Sequence, residues 1–161
     1  MSAATGWKYG NHAERKPFHY TASGLDDVYL LSGYERYETE YGGGIAISDV
    51  DGLHVAIARN IVLHKKAING KEIRFLRKQM KLSQEELGDL MGVSSQSVAR
   101  WEKGEVDIPG PAELSMRAFY ISHDGGKIDL VELAKTVRAM AADAANRQVF
   151  EDTDGVWKLA A

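Results

Sequence analysis

The sequence predicts a mainly helical α+β fold, in which a central helical bundle carries small antiparallel β elements at the N- and C-terminal ends. Two observations predict it. Apolar residues recur with a helical period over most of residues 51–145, and strand-like runs are confined to residues 28–48 and to the two sides of Asp154-Gly155. The length of 161 residues, with 44% apolar and 27% charged residues, suits one globular domain or one small domain with an appendage.

Short runs of strand-forming residues predict the N-terminal β elements. Val28–Leu31 is apolar, and residues 45–48 form another short run. Between them, Glu38 and Glu40 alternate with Tyr37, Thr39 and Tyr41. The glycines Gly42–Gly44 predict a turn or bulge between the last two runs. We expect two or three antiparallel strands, whose tyrosines either pack across the sheet or line a ligand pocket or protein-binding edge.

The sequence Asp154-Gly155 predicts a hairpin near the C-terminus, because this dipeptide suits a two-residue turn between strands. An isolated hairpin is marginally stable in water. We therefore expect it to pair with the N-terminal sheet or with another chain.

Apolar spacing predicts three helices around the central motif. The first is expected to have Asp51 as its N-cap, and its buried face is Leu53, Ile57, Ile61 and Val62. The second covers residues 112–121, with an apolar face of Leu114, Ala118 and Ile121. The third covers residues 129–145, with a two-heptad stripe of Leu130, Leu133, Val137, Met140 and Ala144.

The central stretch "LSQEELGDLMGVSSQSVARWEKG", residues 82–104, has the spacing of a helix-turn-helix. Gly88 is small where two helices cross, and Gly92 suits the tight turn because glycine adopts left-handed backbone angles without strain. Two residues of the second helix, Val98 and Trp101, are expected to face the first. The remaining expected core residues of the motif are Leu87, Leu90 and Met91, with Ile73 and Leu76 from a preceding helix.

The outer face of the second motif helix carries the residues that predict DNA recognition. Gln96 and Arg100 are four residues apart and therefore neighbours on one helix face. Glutamine can bond adenine N6 and N7, and arginine can bond guanine O6 and N7, when such a helix enters the major groove. The candidate DNA-binding residues, which include expected phosphate contacts, are Gln84, Ser94, Ser95, Gln96, Ser97, Arg100, Lys103, Arg74 and Lys78.

Charge supports the same interpretation, although a basic segment alone is more often a solvated surface. Residues 65–104 contain nine Lys and Arg against five Asp and Glu, a net +4, whereas the whole chain has a net charge of −3. A basic segment in an otherwise acidic chain favours a local contact with a polyanion.

On these residues the central stretch resembles the Cro/repressor (XRE) class of helix-turn-helix proteins. The longer stretch 70–104, with "PGPAELSMRAFY" at residues 109–120, is similar to the C-terminal domain of MqsA-type antitoxins. The resemblance implies a lambda-repressor-like bundle that binds DNA as a dimer and represses its own operon. It places the base-reading Asn and Arg of that family on Gln96 and Arg100.

The chain departs from the MqsA-type pattern in its N-terminal half. That family carries a zinc domain with paired cysteines, which binds the toxin, and this chain has no cysteine. The resemblance therefore leaves the N-terminal region and the C-terminal hairpin unexplained.

These patterns divide the chain into four expected segments. Residues 1–17 are expected to be a flexible tail, and residues 18–66 to be a small β-sheet plus helix that serves as an interaction region. Residues 67–122 are expected to be the helix-turn-helix DNA-binding domain, and residues 123–161 a dimerisation helix with a β-hairpin. The stripe of the third helix either forms the dimer seam or packs inside the monomer, and we favour the seam because a symmetric operator needs two copies.

No catalytic set, cofactor motif or metal site is expected. The five histidines show no metal-ligand spacing, and Gly42–Gly44 lacks the Lys and Ser or Thr of a phosphate-binding loop. No segment has the apolar length of a membrane helix or of a signal peptide core. We therefore expect a cytoplasmic protein, nucleoid-associated when bound to DNA.

The favoured hypothesis is a transcriptional repressor, not an enzyme, that binds a palindromic double-stranded DNA operator as a homodimer. One alternative is a type II antitoxin, whose N-terminal region neutralises a partner toxin or contacts another protein. A further alternative is a phage or plasmid repressor with a ligand- or protein-sensing region.

Overall fold

The computed structural model describes residues 16–140 and 147–160. Within them the strands are β1 (Phe18–His19), β2 (Val28–Leu30), β3 (Tyr34–Thr39), β4 (Gly42–Ile47), β5 (Gln148–Thr153) and β6 (Val156–Leu159). The helices are α1 (Val50–His64), α2 (Gly70–Gln79), α3 (Gln84–Met91), α4 (Ser95–Glu102), α5 (Gly110–His123) and α6 (Leu130–Ala139). The predicted α+β class, with a helix-turn-helix between β elements, is confirmed.

The strands of the two ends join in one four-stranded sheet of order β1-β2-β5-β6. β2 and β5 run parallel, with Tyr29 opposite Val149, whereas the outer pairs are antiparallel. The hairpin predicted at Asp154-Gly155 forms, and it pairs with the N-terminal sheet. The antiparallel elements predicted at both ends are present, whereas the sequence did not predict the parallel pair, because it joins segments that are 120 residues apart and no local turn specifies it.

The second sheet is the two-stranded hairpin β3–β4, and its turn differs from the prediction. Thr39 pairs with Gly42, so the turn is Glu40-Tyr41 and the three glycines lie in β4. The ring of Tyr37 covers Gly44, where an added Cβ would lie 2.3 Å from the ring. The glycines therefore make room for a cross-strand tyrosine. Tyr41 at the turn is 97% exposed.

Helix α1 packs its predicted face, Leu53, Ile57, Ile61 and Val62, into the common core. Its N-cap is Asp49 and not the expected Asp51. The carboxylate of Asp49 accepts a hydrogen bond of 3.0 Å from the Gly52 amide, which satisfies one of the free N–H groups of the first turn.

Helix α5 buries a different face from the predicted one. Leu114, Ala118 and Ile121 are half-buried, whereas Met116, Arg117 and Tyr120 are buried. The Arg117 guanidinium donates to four carbonyl oxygens at the end of α1, with N–O distances from 2.7 to 3.3 Å, and to the Glu113 carboxylate at 2.6 Å. This side chain replaces water at the α1 C-terminus, so α1 and α5 are joined inside the core.

Helix α6 is shorter than the predicted 129–145 helix. It ends at Ala139, because Met140 has an extended backbone (φ −61°, ψ 135°), and Ala144 lies outside the described residues. Leu133 and Val137 are half-buried, and the Lys66 ammonium donates to the Val137 carbonyl oxygen at 3.1 Å. Leu133 and Val137 of the predicted stripe therefore pack against other residues of the same chain.

Candidate nucleic-acid interface

Helices α3 and α4 form a helix-turn-helix whose ends are set by local hydrogen bonds. The Ser83 hydroxyl accepts from the Glu86 amide and the Glu86 carboxylate accepts from the Ser83 amide, which is a capping box at the start of α3. The hydrogen bond from the Ser83 backbone N–H lowers the pKa of the Glu86 carboxyl. Gly92 ends α3 with left-handed backbone angles, φ 71° and ψ 31°, as predicted.

The close crossing of the two motif helices depends on Gly88. A Cβ added there would lie 2.6 Å from the Val93 carbonyl oxygen, which is too close for any other residue without movement of the backbone. Buried Leu87 packs with buried Val98 and Trp101, as predicted. The expectation that Leu90 joins this core is wrong, since α3 is short and turns Leu90 outward, leaving it 56% exposed.

A buried ion pair, which no local sequence pattern predicts, fixes α4 against α2. The Arg77 Nε donates to Glu102 Oε1 at 2.5 Å, with the two side chains only 11% and 5% exposed. Gln84 Nε2 donates to the other oxygen of the same carboxylate at 2.8 Å. Gln84, predicted to contact a phosphate, is half-buried and therefore has a structural role as well.

The outer face of α4 presents the predicted base-reading residues. Ser95, Gln96, Arg100 and Lys103 are all exposed, with Gln96 and Arg100 separated by one turn. The Arg100 Nε lies 3.6 Å from a Glu105 carboxylate oxygen, and both side chains are more than half exposed. Such an exposed pair is weak, so the Arg100 guanidinium can exchange this partner for another acceptor.

The stretch "SSQS" contains the N-cap of α4, the residue that donates to this cap, and two residues that face solvent. The Ser94 hydroxyl accepts from the Ser97 amide at 3.1 Å and lies 3.1 Å from the Ser97 hydroxyl, so Ser94 is the N-cap of α4. Ser95 and Gln96 follow at the first turn and face solvent. The structure thus gives Ser94 and Ser97 a local role in addition to any contact with DNA.

The predicted basic residues outside α4 lie on α2. Arg74 and Lys78 are four residues apart and exposed on the same face of that helix. Their neighbour Arg77 points inward to Glu102. Arg77 and Lys65 are engaged in partly buried ion pairs with Glu102 and Glu72 of the same segment, so the pairing removes two cations and two acids and leaves the net charge of +4 unchanged.

Residues 73–115 match the family model described as helix-turn-helix. No curated protein and no solved structure matches the chain. The fold of α2–α5, the glycine turn and the exposed outer face of α4 define a DNA-binding protein. The matched segment is a helix-turn-helix of the XRE/Cro type, and the chain is a DNA-binding transcription regulator.

Within residues 16–140 and 147–160, no helix is long and apolar enough to cross a bilayer. In the same residues, His, Asp and Glu side chains form no cluster of three or more that could hold a metal ion.

Proposed function

We propose that the protein represses transcription by binding a palindromic operator as a homodimer and so blocking polymerase. The observation that carries the proposal is the outer face of α4, where Gln96 of the first turn and Arg100 of the last turn project side by side from the second motif helix. In this motif class the second helix lies in the major groove and its side chains contact base edges.

Base recognition follows from the chemistry of the two side chains. The amide of Gln96 can accept from adenine N6 and donate to N7, and the guanidinium of Arg100 can donate to guanine O6 and N7. Arg100 leaves Glu105 when it binds a base, which costs little because the pair is exposed. The two residues are expected to read adjacent base pairs in each half-site.

Phosphate contacts are assigned to the residues around this face. Arg74, Lys78 and Lys103 are exposed cations, and Ser95 offers a small hydroxyl close to the helix end. These groups neutralise phosphates and release counterions, so the affinity should fall steeply with salt concentration. Gln84 is expected to contribute through its backbone amide at the start of α3, since its side chain is bonded to Glu102.

The dimer contact is assigned to the start of α6. Leu130 and Val131 are 52% and 63% exposed, and Ile128 just before them is also exposed. Two copies joined there would present two α4 helices, as a palindrome with half-sites ~34 Å apart requires. The other side of α6 packs against its own chain and so holds the helix in place for this contact. The half-buried residues on that side are Leu133, Val137 and Met140.

Selection of bound sequences from random duplex DNA, followed by footprinting on the DNA upstream of the gene, tests this proposal. The expected result is an inverted repeat protected on one face of the duplex. Binding of all sequences with equal affinity would contradict it.

A second candidate, an antitoxin role, is favoured by one observation. Tyr41 projects fully exposed from the acidic β3–β4 hairpin, which also carries half-exposed Tyr37, and such a surface suits a basic protein partner. Co-expression with the product of the adjacent gene tests this role. Co-purification that is lost in Tyr41→Ser supports it, and the absence of a complex with the unaltered chain rejects it.

A further inference from the structure

The junction between α1 and α2, Lys65-Lys66, is bonded to several other elements at once. The Lys65 ammonium donates to Asp27 Oδ2 at 3.0 Å, just before β2, and to Glu72 Oε2 at 2.6 Å, in the first turn of α2. The backbone carbonyl oxygens of Lys65 and Lys66 accept from the Arg117 guanidinium of α5 at 2.7 and 3.3 Å. The sheet, α2 and α5 therefore all hold this junction.

The Lys66 side chain bonds the C-terminal end of α6. Its ammonium donates to the carbonyl oxygens of Val137 and Arg138 at 3.1 and 2.7 Å. These oxygens belong to the last turn of α6, where the helix dipole favours a cation. No residue of α6 is buried, and within residues 16–140 and 147–160 these two are the side-chain hydrogen bonds between α6 and another element. Lys66 therefore fixes a helix that has little apolar packing of its own.

The Lys65 side chain holds α2 from inside the protein. The side chains of Lys65 and Asp27 are only 13% and 15% exposed, and Glu72, which is 1% exposed, also closes the capping box of α2. Burial alone would lower the pKa of Lys65, but the hydrogen bonds and charges of Glu72 and Asp27 outweigh it and raise the pKa above its ordinary value. The ammonium therefore stays charged at neutral pH and holds both carboxylates.

The position of α2 determines the position of α4. Glu102 accepts from both Arg77 and Gln84, so one carboxylate joins α2, α3 and α4. On the other side of the junction, α6 carries exposed Leu130 and Val131, which the proposed function places in the dimer contact. The junction thus lies between the helices that are proposed to bind DNA and the helix that is proposed to join two copies.

We propose that Lys65 and Lys66 are positioning residues that set the separation of the two operator half-sites. Their ammonium groups hold α2 and α6 in one relative orientation, so a dimer presents its two α4 helices at one distance and one rotation. A buried ion network adds little net stability after its desolvation, and its contribution here is this fixed geometry. The inference rests on the proposed function, because it concerns an operator that is bound by a dimer.

The fixed orientation is tested first without DNA. The chain has no cysteine, so spin labels can be attached at Asp89→Cys on α3 and Thr136→Cys on α6, both at exposed positions. Pulsed electron paramagnetic resonance on labelled protein diluted with excess unlabelled protein then measures the α3–α6 distance within one chain. A narrow distance distribution is expected, and a wider one when Lys66→Met is added. Lys66→Arg, which keeps a cation with several N–H donors, should restore the narrow distribution.

Lys65 requires a variant that leaves no buried charge without a partner. Asp27→Asn, Lys65→Met and Glu72→Gln together remove the three charges, and the glutamine can still close the capping box. This triple variant should also widen the distribution. Lys71→Met is the matched control, because Lys71 joins α2 to neighbouring Asp26 through side chains that are 57% and 77% exposed. So exposed a pair is weak, and the width should not change.

The operator is tested next, with a selected inverted repeat and with the same repeat lengthened by one base pair between the half-sites. The insertion moves the half-sites about 3.4 Å apart and rotates one against the other by about 35°. In fluorescence anisotropy the unaltered protein should prefer the selected spacing. Lys66→Met and the triple variant should each lower this ratio of affinities about fivefold or more, whereas Lys66→Arg and Lys71→Met should not. A general loss of charge or stability weakens binding to both operators alike, so the ratio isolates positioning.

Distributions as narrow in Lys66→Met and the triple variant as in Lys71→Met would overturn the fixed orientation. An unchanged ratio of affinities would overturn its role in half-site spacing. If the unaltered protein binds no inverted repeat, the operator proposal fails and with it the role in spacing. The spin-label distances, measured without DNA, then still confirm or overturn the hold of the junction on α2 and α6.

Discussion

Gln84 Nε2 donates a 2.8 Å hydrogen bond to Glu102 Oε2, which joins the first residue of α3 to the last residue of α4. The same carboxylate holds Arg77 of α2. One buried acid thus sets the angle between the three helices that carry the proposed DNA contacts. The exposed side chains of α4 are thus positioned by side chains that are buried or half-buried between the helices.

Replacement of Glu102 by alanine should therefore be costly. Glu102→Ala leaves the Arg77 guanidinium buried without its partner, and breaking a buried pair costs about 3 kcal/mol in the free energy of unfolding. Urea denaturation followed by circular dichroism measures this loss. Glu105→Ala is the matched control, because the exposed Glu105 carboxylate should contribute less than about 0.5 kcal/mol. Equal losses in the two variants would contradict the role assigned to Glu102.

The crossing at Gly88 leads to a second prediction. Gly88→Ala should lower the free energy of unfolding by about 1–3 kcal/mol, because the added Cβ meets a backbone carbonyl oxygen that cannot rotate away. Gly110→Ala is the control, since an added Cβ there meets nothing within 4 Å. Thermal denaturation should therefore show a lower Tm for the first variant only. A Tm of Gly88→Ala at or above that of the unaltered protein would disprove the close approach.

His54 makes the stability dependent on pH. Its Nε2 lies 2.8 Å from the Tyr20 hydroxyl and its ring packs edge-on against Phe75. Burial lowers the pKa of His54 below its ordinary value, and the charge of Asp51 opposes this only in part. Below about pH 6.5 the unfolded chain therefore binds the proton more readily than the folded one. The free energy of unfolding then decreases as the pH is lowered, until the pH reaches the folded pKa of His54.

Comparison of the unaltered protein with His54→Gln isolates the contribution of His54 to the pH dependence of stability. Urea denaturation at about pH 7.5 and about pH 5.5 brackets the ordinary histidine pKa. The unaltered protein should lose more stability between these two values than His54→Gln does. Equal losses would show that His54 does not contribute to the pH dependence.

The proposed dimer contact at the start of α6 is tested by charge insertion. Leu130→Asp and Val131→Asp place a carboxylate on an exposed apolar surface and should convert a dimer to a monomer in light scattering. Thr136→Asp, at another exposed position of α6, should leave the mass unchanged. If Leu130→Asp and Val131→Asp both remain dimers, the dimer contact lies elsewhere.

The sequence predicted the parts of the fold that local pattern determines. The positions of Gly88, Gly92, Val98 and Trp101 specify a helix-turn-helix because each acts within one helix or one turn. The apolar face of α1 was predicted for the same reason. Its N-cap was misplaced by two residues, since Asp49 and Asp51 are equivalent as a sequence signal.

The features that the sequence did not predict depend on long-range contacts. In the sequence, nothing distinguishes Arg117 from a surface cation. In the fold, its guanidinium donates to carbonyl oxygens at the C-terminal end of α1. The Arg77–Glu102 pair joins residues that are 25 positions apart and belong to different helices. The exposure of Leu90 likewise depends on where neighbouring helices end, which periodicity alone does not give.

Operator binding by variants of α4 tests the central claim most directly. Fluorescence anisotropy with a selected operator should show that Gln96→Ala and Arg100→Ala each weaken binding by about 1–3 kcal/mol and relax preference at one base position. Lys127→Ala, an exposed change outside the motif, should bind as the unaltered protein does. If both α4 variants fold and retain full affinity and sequence preference, the outer face of α4 does not read DNA.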